Sequence, residues 1–389
     1  MNAKAKPLKI GFVFDDSLDK PDGVQQYILA VGDWLTSQGH EVHYLVGKTE
    51  RTDIANVHSL SKNIAVTFNG NGMTMPLPTS RHMLSTFLDN EQFDILHVQV
   101  PYSPWLAGRL IAAASRSTVI FGTFHIVAYS PLVTIASRAL GLYTRSTLKL
   151  FDEIVSVSSA AQVFAKRTYG VTAAVVPNAV DFKRFNDALP RPEYDDDVVT
   201  ILFLGRLVQR KGCTVLLEAI KKLRSGHGDT AFRVLICGKG PELSRLQRYV
   251  GENELGSVVT FVGFVSEKDK PTYYASADIA VFPSSGGESF GIVLVEAMAS
   301  GQAAVLAGNN SGYRSVMEMR PDLLFDAQDS SQLAEKLESL LTNSQLRAQA
   351  AAWGKNHSKQ FDAATVGQEL LDRYMQALHK RQAAAIIEA

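Results

Sequence analysis

Residues 283 to 301 read Pro283-Ser-Ser-Gly-Gly-Glu288-Ser-Phe-Gly291-Ile-Val-Leu-Val-Glu296-Ala-Met-Ala-Ser-Gly301. An apolar strand ends at Pro283, a glycine-rich turn follows, and an apolar helix is predicted to open near Ser289. Backbone amides at a helix start can bind phosphate or sugar oxygens, because they are unpaired and carry a partial positive charge. Eight helical steps would separate Glu288 from Glu296 by about 12 Å, so the two acids could hold both ends of one ligand. Either glutamate alone would more often be structural.

The same alternation of short apolar strands and amphipathic helices extends in both directions from this stretch. The predicted strands of the first half are 9–14, 39–46, 94–100, 117–124, 153–157 and 173–176. Those of the second half are 200–204, 232–237, 258–262, 279–282 and 303–306. Apolar strands that alternate with helices indicate parallel sheets covered on both faces. The sequence therefore predicts an α/β fold with two Rossmann-like, doubly wound domains.

A polar segment over 187–197 separates the two halves, and we place the boundary near residues 176–181. We expect an N-terminal domain over 1–180 that holds the acceptor and a C-terminal domain over 181–362 that holds the donor. The apolar spacing of a final helix over 363–381 would let it pack back on the first domain. A length of 389 residues agrees with two domains.

Composition excludes several classes of protein. The 39 basic and 39 acidic residues cancel, so no overall field would draw the chain to nucleic acid. Cys213 and Cys237 fit neither a disulfide framework nor a metal-site spacing, which favours a reducing compartment. The apolar run after Lys9 is too short for a signal peptide, and no stretch approaches the ~18 apolar residues of a membrane span. We expect a cytoplasmic protein, with peripheral contact to the inner face of the cell membrane left open.

Basic side chains follow the first strand of the second half, in Gly205-Arg206-Leu-Val-Gln-Arg210-Lys211-Gly212. Ligands of open parallel sheets bind outside the carboxyl ends of the strands, so these cations stand where a pyrophosphate would bind. Arg206 can clamp two oxygens, and Lys211 supplies a point charge. A solvated basic turn is the common alternative.

Two further candidates follow strands of the first half. Gly23 lies in the loop after the first strand and permits close backbone approach to a phosphate, although turns need glycine in any case. His125 closes Phe121-Gly-Thr-Phe-His125, at the end of an apolar strand. A single histidine is more often a core or surface residue than a catalytic one, but this position favours a functional role.

Together these segments resemble the retaining glycosyltransferases of family four. Glu288 and Glu296 match the family's E-x7-E signature, and the flanking Pro-Ser and Glu-Ala-Met-Ala segments are also present. The resemblance implies the GT-B fold, in which two Rossmann-like domains face each other across a cleft. It also implies a hexosyltransferase that takes its sugar from a nucleotide-diphosphate donor, with GDP or UDP as the open alternatives. Ala303 departs from the family, because many relatives have proline there.

The resemblance assigns a role to each candidate. Glu288 would contact the donor sugar and Glu296 the ribose, while His125 would approach the donor sugar near the acceptor. Arg206 and Lys211 would neutralise the leaving diphosphate. The implied catalytic residues are His125, Glu288, Arg206 and Lys211, and the implied donor-binding residues are Gly23, Arg206, Lys211, Val265, Glu288, Phe290, Gly291 and Glu296.

Retention of configuration is expected to proceed by same-face substitution. No second carboxylate is evident near the reacting carbon, which argues against the two-carboxylate scheme of hydrolases. By resemblance, the diphosphate leaves, an oxocarbenium-like centre forms, and the departing phosphate takes the proton of the acceptor. The sequence shows no metal cluster, so we expect no required cofactor and leave open a divalent cation that accompanies the donor.

Within the family, the sequence most resembles the phosphatidylinositol mannosyltransferases. In those relatives the residues equivalent to Gln25 and Asn69 line the polar head-group site, which makes both candidate acceptor contacts. Phe68 stands where they have tyrosine, and one hydrogen bond is lost. We expect transfer of a hexose, with mannose as the first choice, to a lipid-linked or polyol acceptor at a membrane surface.

Two features favour contact with an anionic membrane. Methionine and leucine side chains occupy a Gly/Pro-rich loop over 73–77. Arg138, Arg145 and Lys149 recur at i, i+7 and i+11 on one predicted helix with apolar neighbours, a pattern that can rest on anionic lipid. A solvated helix face is the alternative.

Three other functions stay open. A transferase with a soluble acceptor would need no basic stripe. A sugar-nucleotide epimerase or hydrolase on a similar scaffold would lack the full signature from Glu288 to Glu296. A non-catalytic nucleotide-binding module is disfavoured because all the implied catalytic residues are retained.

Overall fold

A computed structural model describes residues 6–19, 22–68, 71–128, 130–226 and 231–388. The chain divides into two compact units. The first unit comprises Met1–Ala179 and Ala363–Ala389, and the second unit comprises Val180–Asp362. Strands and helices are numbered here in chain order. None of the helices in the described ranges is both long and apolar enough to cross a membrane.

The first unit is a parallel sheet with helices packed against it. Its strands are β1 Lys9–Phe14, β2 Glu41–Val46, β3 Val57–Ser59, β4 Asn63–Phe68, β5 Asn71–Pro76, β6 Ile95–Val98, β7 Val119–Phe124, β8 Glu153–Ser156 and β9 Ala174–Val175. Its helices are α1 Gly23–Ser37, α2 Arg81–Glu91, α3 Leu106–Ala113, α4 Pro131–Tyr143, α5 Arg145–Leu148, α6 Ser159–Tyr169 and α15 Ala363–Glu388. The strand order in the sheet is β3-β2-β1-β6-β7-β8-β9, and β4 and β5 form a separate antiparallel pair.

The second unit repeats this architecture. Its strands are β10 Val199–Leu204, β11 Phe232–Cys237, β12 Val259–Gly263, β13 Ile279–Phe282, β14 Ala304–Gly308 and β15 Leu324–Phe325. Its helices are α7 Phe182–Asn186, α8 Cys213–Gly226, α9 Leu243–Glu252, α10 Lys270–Ala275, α11 Ile292–Ser300, α12 Ser311–Met317, α13 Ser330–Thr342 and α14 Ser344–Ser358. All pairings in the sheet order β12-β11-β10-β13-β14-β15 are parallel.

The central strands are buried on both faces, which explains their continuous apolar runs. Every residue of β7 and β13 is buried, because helices cover both sides of each sheet. In a parallel sheet all carboxyl ends lie at one edge, where the loops that follow β1, β6 and β7 meet in the first unit. The loops after β10 and β13 meet at the corresponding edge of the second unit.

The last helix belongs to the core of the first unit. Leu370 and Tyr374 of α15 are fully buried there, and an added Cβ at Gly367 would lie 2.3 Å from Cε3 of Trp34 on α1. Arg373 pairs with Glu153 at 2.5 Å. The chain therefore leaves the second unit at Asp362, and α15 completes the first unit. This helix runs to Glu388, beyond the predicted end at residue 381.

The predicted basic stripe on one helix is wrong. The helix α4 ends at Tyr143 and α5 begins at Arg145, so Arg138 and Arg145 lie on different helices, and Lys149 is the C-cap of α5. The break falls at Thr144, whose hydroxyl donates to the Leu140 carbonyl at 2.9 Å and whose backbone leaves helical geometry.

Candidate active site

An ionic cluster lies at the carboxyl edge of the sheet in the second unit. Glu288 Oε1 is 2.6 Å from Arg210 Nη1, 2.8 Å from Lys211 Nζ and 2.8 Å from Ser284 Oγ, which donates to it. Lys211 and Arg210 follow β10, whereas Ser284 and Glu288 follow the adjacent strand β13. The structure thus brings together the two stretches that the sequence singled out in this half.

The cluster holds Glu288 as a carboxylate. Burial raises its pKa, but the charges of Lys211 and Arg210 and the hydrogen bonds from Lys211 and Ser284 outweigh burial and lower the pKa to about 2. Burial lowers the pKa of Lys211, and the charge of Arg206 also lowers it, which places Arg206 in the same electrostatic environment. Arg206 itself is exposed. A further anion near these cations would be favoured.

The helix after the glycine-rich turn begins later than the sequence suggested. Its first residue is Ile292 instead of Ser289, because Gly291 has a φ of 122° that only glycine adopts easily. In the described part of the chain no side chain caps this helix start. The span from Glu288 to Glu296 is therefore partly turn, and the all-helical separation of about 12 Å does not apply.

The second glutamate of the signature lies in the interior. Glu296 is fully buried, with Oε1 3.0 Å from Lys270 Nζ and Oε2 3.1 Å from the Tyr274 hydroxyl. Lys270 also pairs with Glu267 at 2.8 Å. Burial raises the pKa of Glu296, and Lys270 opposes this shift. Contact of Glu296 with a ribose stays a prediction.

Two other predicted donor residues differ in accessibility. Val265, after β12, is half-buried, and its neighbour Phe264 is 60% exposed with Lys239 Nζ 4.5 Å from its ring centre. Phe290 is buried, and its ring lies edge-on to Phe361 with 5.4 Å between centres. Phe290 therefore supports the loop from inside the unit in this structure.

In the first unit, His125 follows β7, is half-buried, and contacts a network of buried polar side chains. Its Nε2 lies 2.9 Å from Gln99 Oε1, and its ring packs against Tyr27 with 5.1 Å between centres. Beneath it, His97 contacts Thr123 Oγ1 through Nε2 and the Tyr374 hydroxyl through Nδ1, both at 2.6 Å. Elements distant in sequence, from α1 to α15, therefore fix the surroundings of His125.

His125 is neutral at ordinary pH. Burial lowers the pKa of its imidazole to about 3, and an interaction with the Asn178 side chain opposes this shift only in part. The pKa of His97 is also well below its ordinary value, because of burial and the nearby His125. The His125 imidazole can therefore accept or donate a hydrogen bond but carries no positive charge.

The loop after β1 differs from its predicted role. Gly23 is the first residue of α1, and Asp22 caps that helix by accepting from the Val24 and Gln25 amides at 3.0 and 3.4 Å. A carboxylate therefore already occupies the helix start at which a phosphate was predicted. The Gln25 side chain is buried and donates through Nε2 to the Ser17 carbonyl at 2.9 Å. Asn69, the other predicted acceptor contact, lies outside the described residues.

Sequence reasoning left three contributors to these sites unassigned. Arg210 and Ser284 both contact Glu288, and Gln99 contacts His125. Arg210 is adjacent to Lys211 in the basic loop, and Gln99 directly follows a strand next to that of His125, so position at the sheet edge was an available signal. Within the described residues no group of three or more His, Cys, Asp or Glu side chains is arranged to hold a metal ion.

Comparison with known proteins identifies the family. Residues 21–184 match the model of Glycosyltransferase Family 4, and residues 187–359 match that of Glycosyl transferases group 1. The chain is 31% identical over 373 residues to a phosphatidyl-myo-inositol mannosyltransferase of Mycolicibacterium smegmatis, covering 94% of this chain and 93% of that relative. It is 30% identical to the Mycobacterium tuberculosis enzyme of the same name, covering 94% and 96% of the two chains.

Solved structures share the fold over nearly the whole chain. A glycosyltransferase from Rickettsia africae superposes with a TM-score of 0.76 at 19% identity, covering 96% of this chain and 99% of that one. Anabaena HepE in complex with UDP-glucose superposes with a TM-score of 0.70 at 18% identity, covering 95% and 100%. The predicted α/β fold with two Rossmann-like units is confirmed, and the chain belongs to the family-four glycosyltransferases of the GT-B fold.

Proposed function

We propose that the protein is a retaining, nucleotide-sugar-dependent mannosyltransferase that acts on a phosphatidylinositol-like lipid at a membrane surface. The observation that carries the donor part is the cluster at the sheet edge of the second unit. There an ionised Glu288 lies between Lys211 and Arg210, close to the start of α11. The relatives named above supply the sugar and the acceptor class.

The second unit has the charges that a nucleotide-sugar needs. Arg206 and Lys211 supply positive charge for the diphosphate, and the amides at the start of α11 add donors for its oxygens. These groups stabilise the negative charge that grows on the leaving diphosphate. Glu288, kept ionised by its partners, accepts hydrogen bonds from hydroxyls of the donor sugar. The same groups serve a donor with or without an accompanying divalent cation.

The charges available are compatible with the retention that the family implies. The carboxylate of Glu288 is already paired with two cations, so it is held as a sugar contact and is less able to act as a nucleophile. His125 is neutral and bears no charge that would repel an oxocarbenium-like centre. The departing phosphate then takes the proton of the acceptor hydroxyl, and the new bond forms on the face that the leaving group vacates.

A polyol acceptor suits Gln25 in the first unit. Its Oε1 is buried and has no hydrogen-bond partner in the described part of the chain, while its Nε2 donates to Ser17. A buried acceptor without a donor is unfavourable, and a ligand hydroxyl would satisfy it. This fits the head group of the lipid after which the relatives are named, as does Asn69 by sequence alone.

The helix α4 offers a surface for the membrane. Ser137 and Gly141 of this helix face the protein and are buried. Four large side chains on the same helix are instead exposed to solvent: Leu132 by 79%, Ile135 by 63%, Leu142 by 75% and Tyr143 by 74%. The exposed cations Arg138, Arg145 and Lys149 lie on or next to this helix, and none is in a salt bridge within the described residues. Exposed apolar side chains beside basic ones favour binding to an anionic bilayer, and each cation near the surface contributes about 1 kcal/mol to the binding free energy.

The transfer reaction can be tested directly. Purified protein is incubated with GDP- and UDP-sugars and with phosphatidylinositol vesicles, free inositol or no acceptor, and the products are identified by NMR. We expect a mannosyl lipid with the anomeric configuration of the donor. An inverted linkage would refute retention, exclusive use of free polyol would indicate a soluble acceptor, and epimerised or hydrolysed donor alone would indicate the epimerase or hydrolase alternative.

The membrane surface needs its own experiment, because turnover of a lipid acceptor does not by itself show that the protein binds a bilayer. Sedimentation with anionic and with neutral vesicles compares wild type with a Leu132→Asp, Ile135→Asp double variant. We expect binding to anionic vesicles only, and its loss in the double variant. Leu189→Asp, at a 77% exposed leucine of the second unit, is the matched control and should bind normally. Equal absence of wild type from both vesicle types would refute the surface.

A further inference from the structure

Gln99 and His125 follow adjacent strands of the first unit. β6 and β7 pair in parallel with Val98 opposite Gly122, so the residues after these strands lie close together at the carboxyl edge. Gln99 is only 1% exposed, and its backbone N–H donates to the Val13 carbonyl on β1 at 2.9 Å. The side chain of Gln99 is thus held at a defined position beneath His125.

The amide of Gln99 has one favourable orientation. Its Nε2 donates to the carbonyl oxygen of His97 at 3.2 Å, which leaves Oε1 facing His125 Nε2 at 2.9 Å. The reverse orientation would place Oε1 against that carbonyl oxygen, two acceptors with no hydrogen between them. The atom that faces the imidazole is therefore an oxygen that can only accept.

We propose that Gln99 is a positioning residue that keeps the hydrogen of His125 on Nε2 and leaves Nδ1 as a hydrogen-bond acceptor. In a neutral imidazole one ring nitrogen donates and the other accepts, so the partner of one nitrogen fixes the state of the other. The consequence for transfer rests on the proposed function, in which His125 approaches the reacting sugars. Nδ1 then accepts a hydrogen bond from a hydroxyl of the donor sugar or of the polyol acceptor.

The surroundings of His125 keep it in the neutral form that this arrangement requires. Burial lowers its pKa to about 3. Among the residues that the structure describes, the titratable side chains that face it are Tyr27 from α1, whose pKa burial raises, and His97 from β6, whose pKa burial lowers. Both are uncharged near neutral pH. Asn178, whose side-chain hydrogen bond to the imidazole raises the pKa of His125 and so opposes burial, is uncharged at every pH.

Two substitutions separate an acceptor effect from a packing effect. Gln99→Leu removes the acceptor. We expect kcat to fall about tenfold at every pH, because one hydrogen bond is lost, and the KM for the donor to stay nearly unchanged. Gln99→Glu keeps an acceptor, so its kcat at pH 9 should exceed that of Gln99→Leu. The carboxylate also raises the pKa of His125, so the kcat of Gln99→Glu should fall as the pH falls, while wild type stays flat.

The tautomer can be observed without turnover by two-bond ¹H–¹⁵N correlation spectra of histidine-labelled protein. The signals of His125 are assigned by their loss in His125→Gln. We expect a protonated Nε2 and an unprotonated Nδ1 in wild type, and a changed or mixed pattern in Gln99→Leu. The wild-type spectrum alone tests the proposal if Gln99→Leu does not fold.

A wild-type spectrum with the hydrogen on Nδ1 would overturn the proposal, as would an unchanged spectrum and unchanged kcat in Gln99→Leu. Failure of the proposed function gives a different result. His125→Ala would then turn over like wild type, while the spectra would still show that Gln99 fixes the tautomer.

Discussion

The same edge of two similar sheets has opposite chemistry in the two units. In the second unit, α11 begins at Ile292, no side chain in the described part of the chain caps it, and a carboxylate paired with two cations lies nearby. In the first unit, α1 begins under the carboxylate of Asp22, and His125 is neutral. The difference supports our proposal that the second unit binds a diphosphate and that the first unit binds hydroxyl groups.

The largest effect should come from the carboxylate of the charged site. Glu288→Gln keeps the shape of the side chain but removes the charge that Lys211 and Arg210 hold, so we expect kcat to fall by at least about 100-fold, as for a lost transition-state contact. Steady-state rates at saturating donor and acceptor measure this. Glu252→Gln, at an exposed position of the same unit, should be normal. A Glu288→Gln rate within threefold of wild type would exclude the assigned role.

A smaller effect is expected from the exposed guanidinium. Arg206→Gln should lower kcat/KM about 10- to 100-fold, because a charge-assisted hydrogen bond contributes roughly 1.5–3 kcal/mol. Arg206→Lys should recover part of this loss, since the point charge remains but the planar fork does not. Initial rates with limiting donor give the comparison. Equal activity of all three proteins would show that Arg206 is only a solvated side chain.

The two sites should also respond differently to acid. The pKa of His125 is about 3 in the folded chain, below its ordinary 6.5. Its contribution to stability is therefore complete above pH 6.5 and is lost as the pH falls toward 3, because the unfolded chain takes up a proton on this side chain that the folded chain does not. The folded pKa of Glu288, about 2, lies below its ordinary 4.5, so its contribution is complete above pH 4.5 and is lost as the pH falls toward 2. The windows overlap only below pH 4.5.

Urea unfolding between pH 6.5 and 5 isolates the histidine when wild type is compared with His125→Gln, because the other groups whose pKa values burial shifts, such as Asp15 and His97, are present in both proteins. As the pH falls over this range, we expect the free energy of unfolding of wild type to decrease by about 1 kcal/mol per pH unit more than that of His125→Gln. Glu288→Gln should keep the wild-type slope there, because Glu288 is ionised in both folded and unfolded chains. Identical slopes in wild type and His125→Gln would mean that the pKa of His125 is not lowered in the folded chain.

The smallest effect concerns the capped helix. Asp22→Ala should lower the free energy of unfolding by about 1 kcal/mol, because the Val24 and Gln25 amides lose their acceptor. Asp22→Gly should lower it by only a few tenths of a kcal/mol, because glycine is itself tolerated at an N-cap. Thermal unfolding of the two variants measures the difference. No loss in Asp22→Ala would show that the carboxylate does not cap α1.

The sequence predicted the architecture because buried strands and amphipathic helices leave a strong periodic signal. It also located the loops that contain Glu288, Lys211 and His125, since each follows a strand at the carboxyl edge of its sheet. The β4–β5 pair was missed, although an Asn69-Gly70 dipeptide between strand-like segments is typical of a hairpin turn.

The errors arise where one residue's conformation overrides a pattern. Gly291 delays α11 through its positive φ, and Thr144 ends the helix on which a basic stripe was expected. The burial of Glu296 depends on Lys270 and Tyr274, which precede it in sequence and meet it only in the folded unit. Spacing along the chain gives no information about such partners.

The most direct test of the contrast between the units is the binding of a nucleoside diphosphate without its sugar, measured by calorimetry with GDP and with UDP. We predict that Lys211→Gln and Arg206→Gln each weaken binding about tenfold or more, whereas His125→Gln and Asp22→Gly change it less than twofold. Equal losses in both pairs of variants, or losses confined to the first-unit pair, would contradict the assignment of the diphosphate to the second unit.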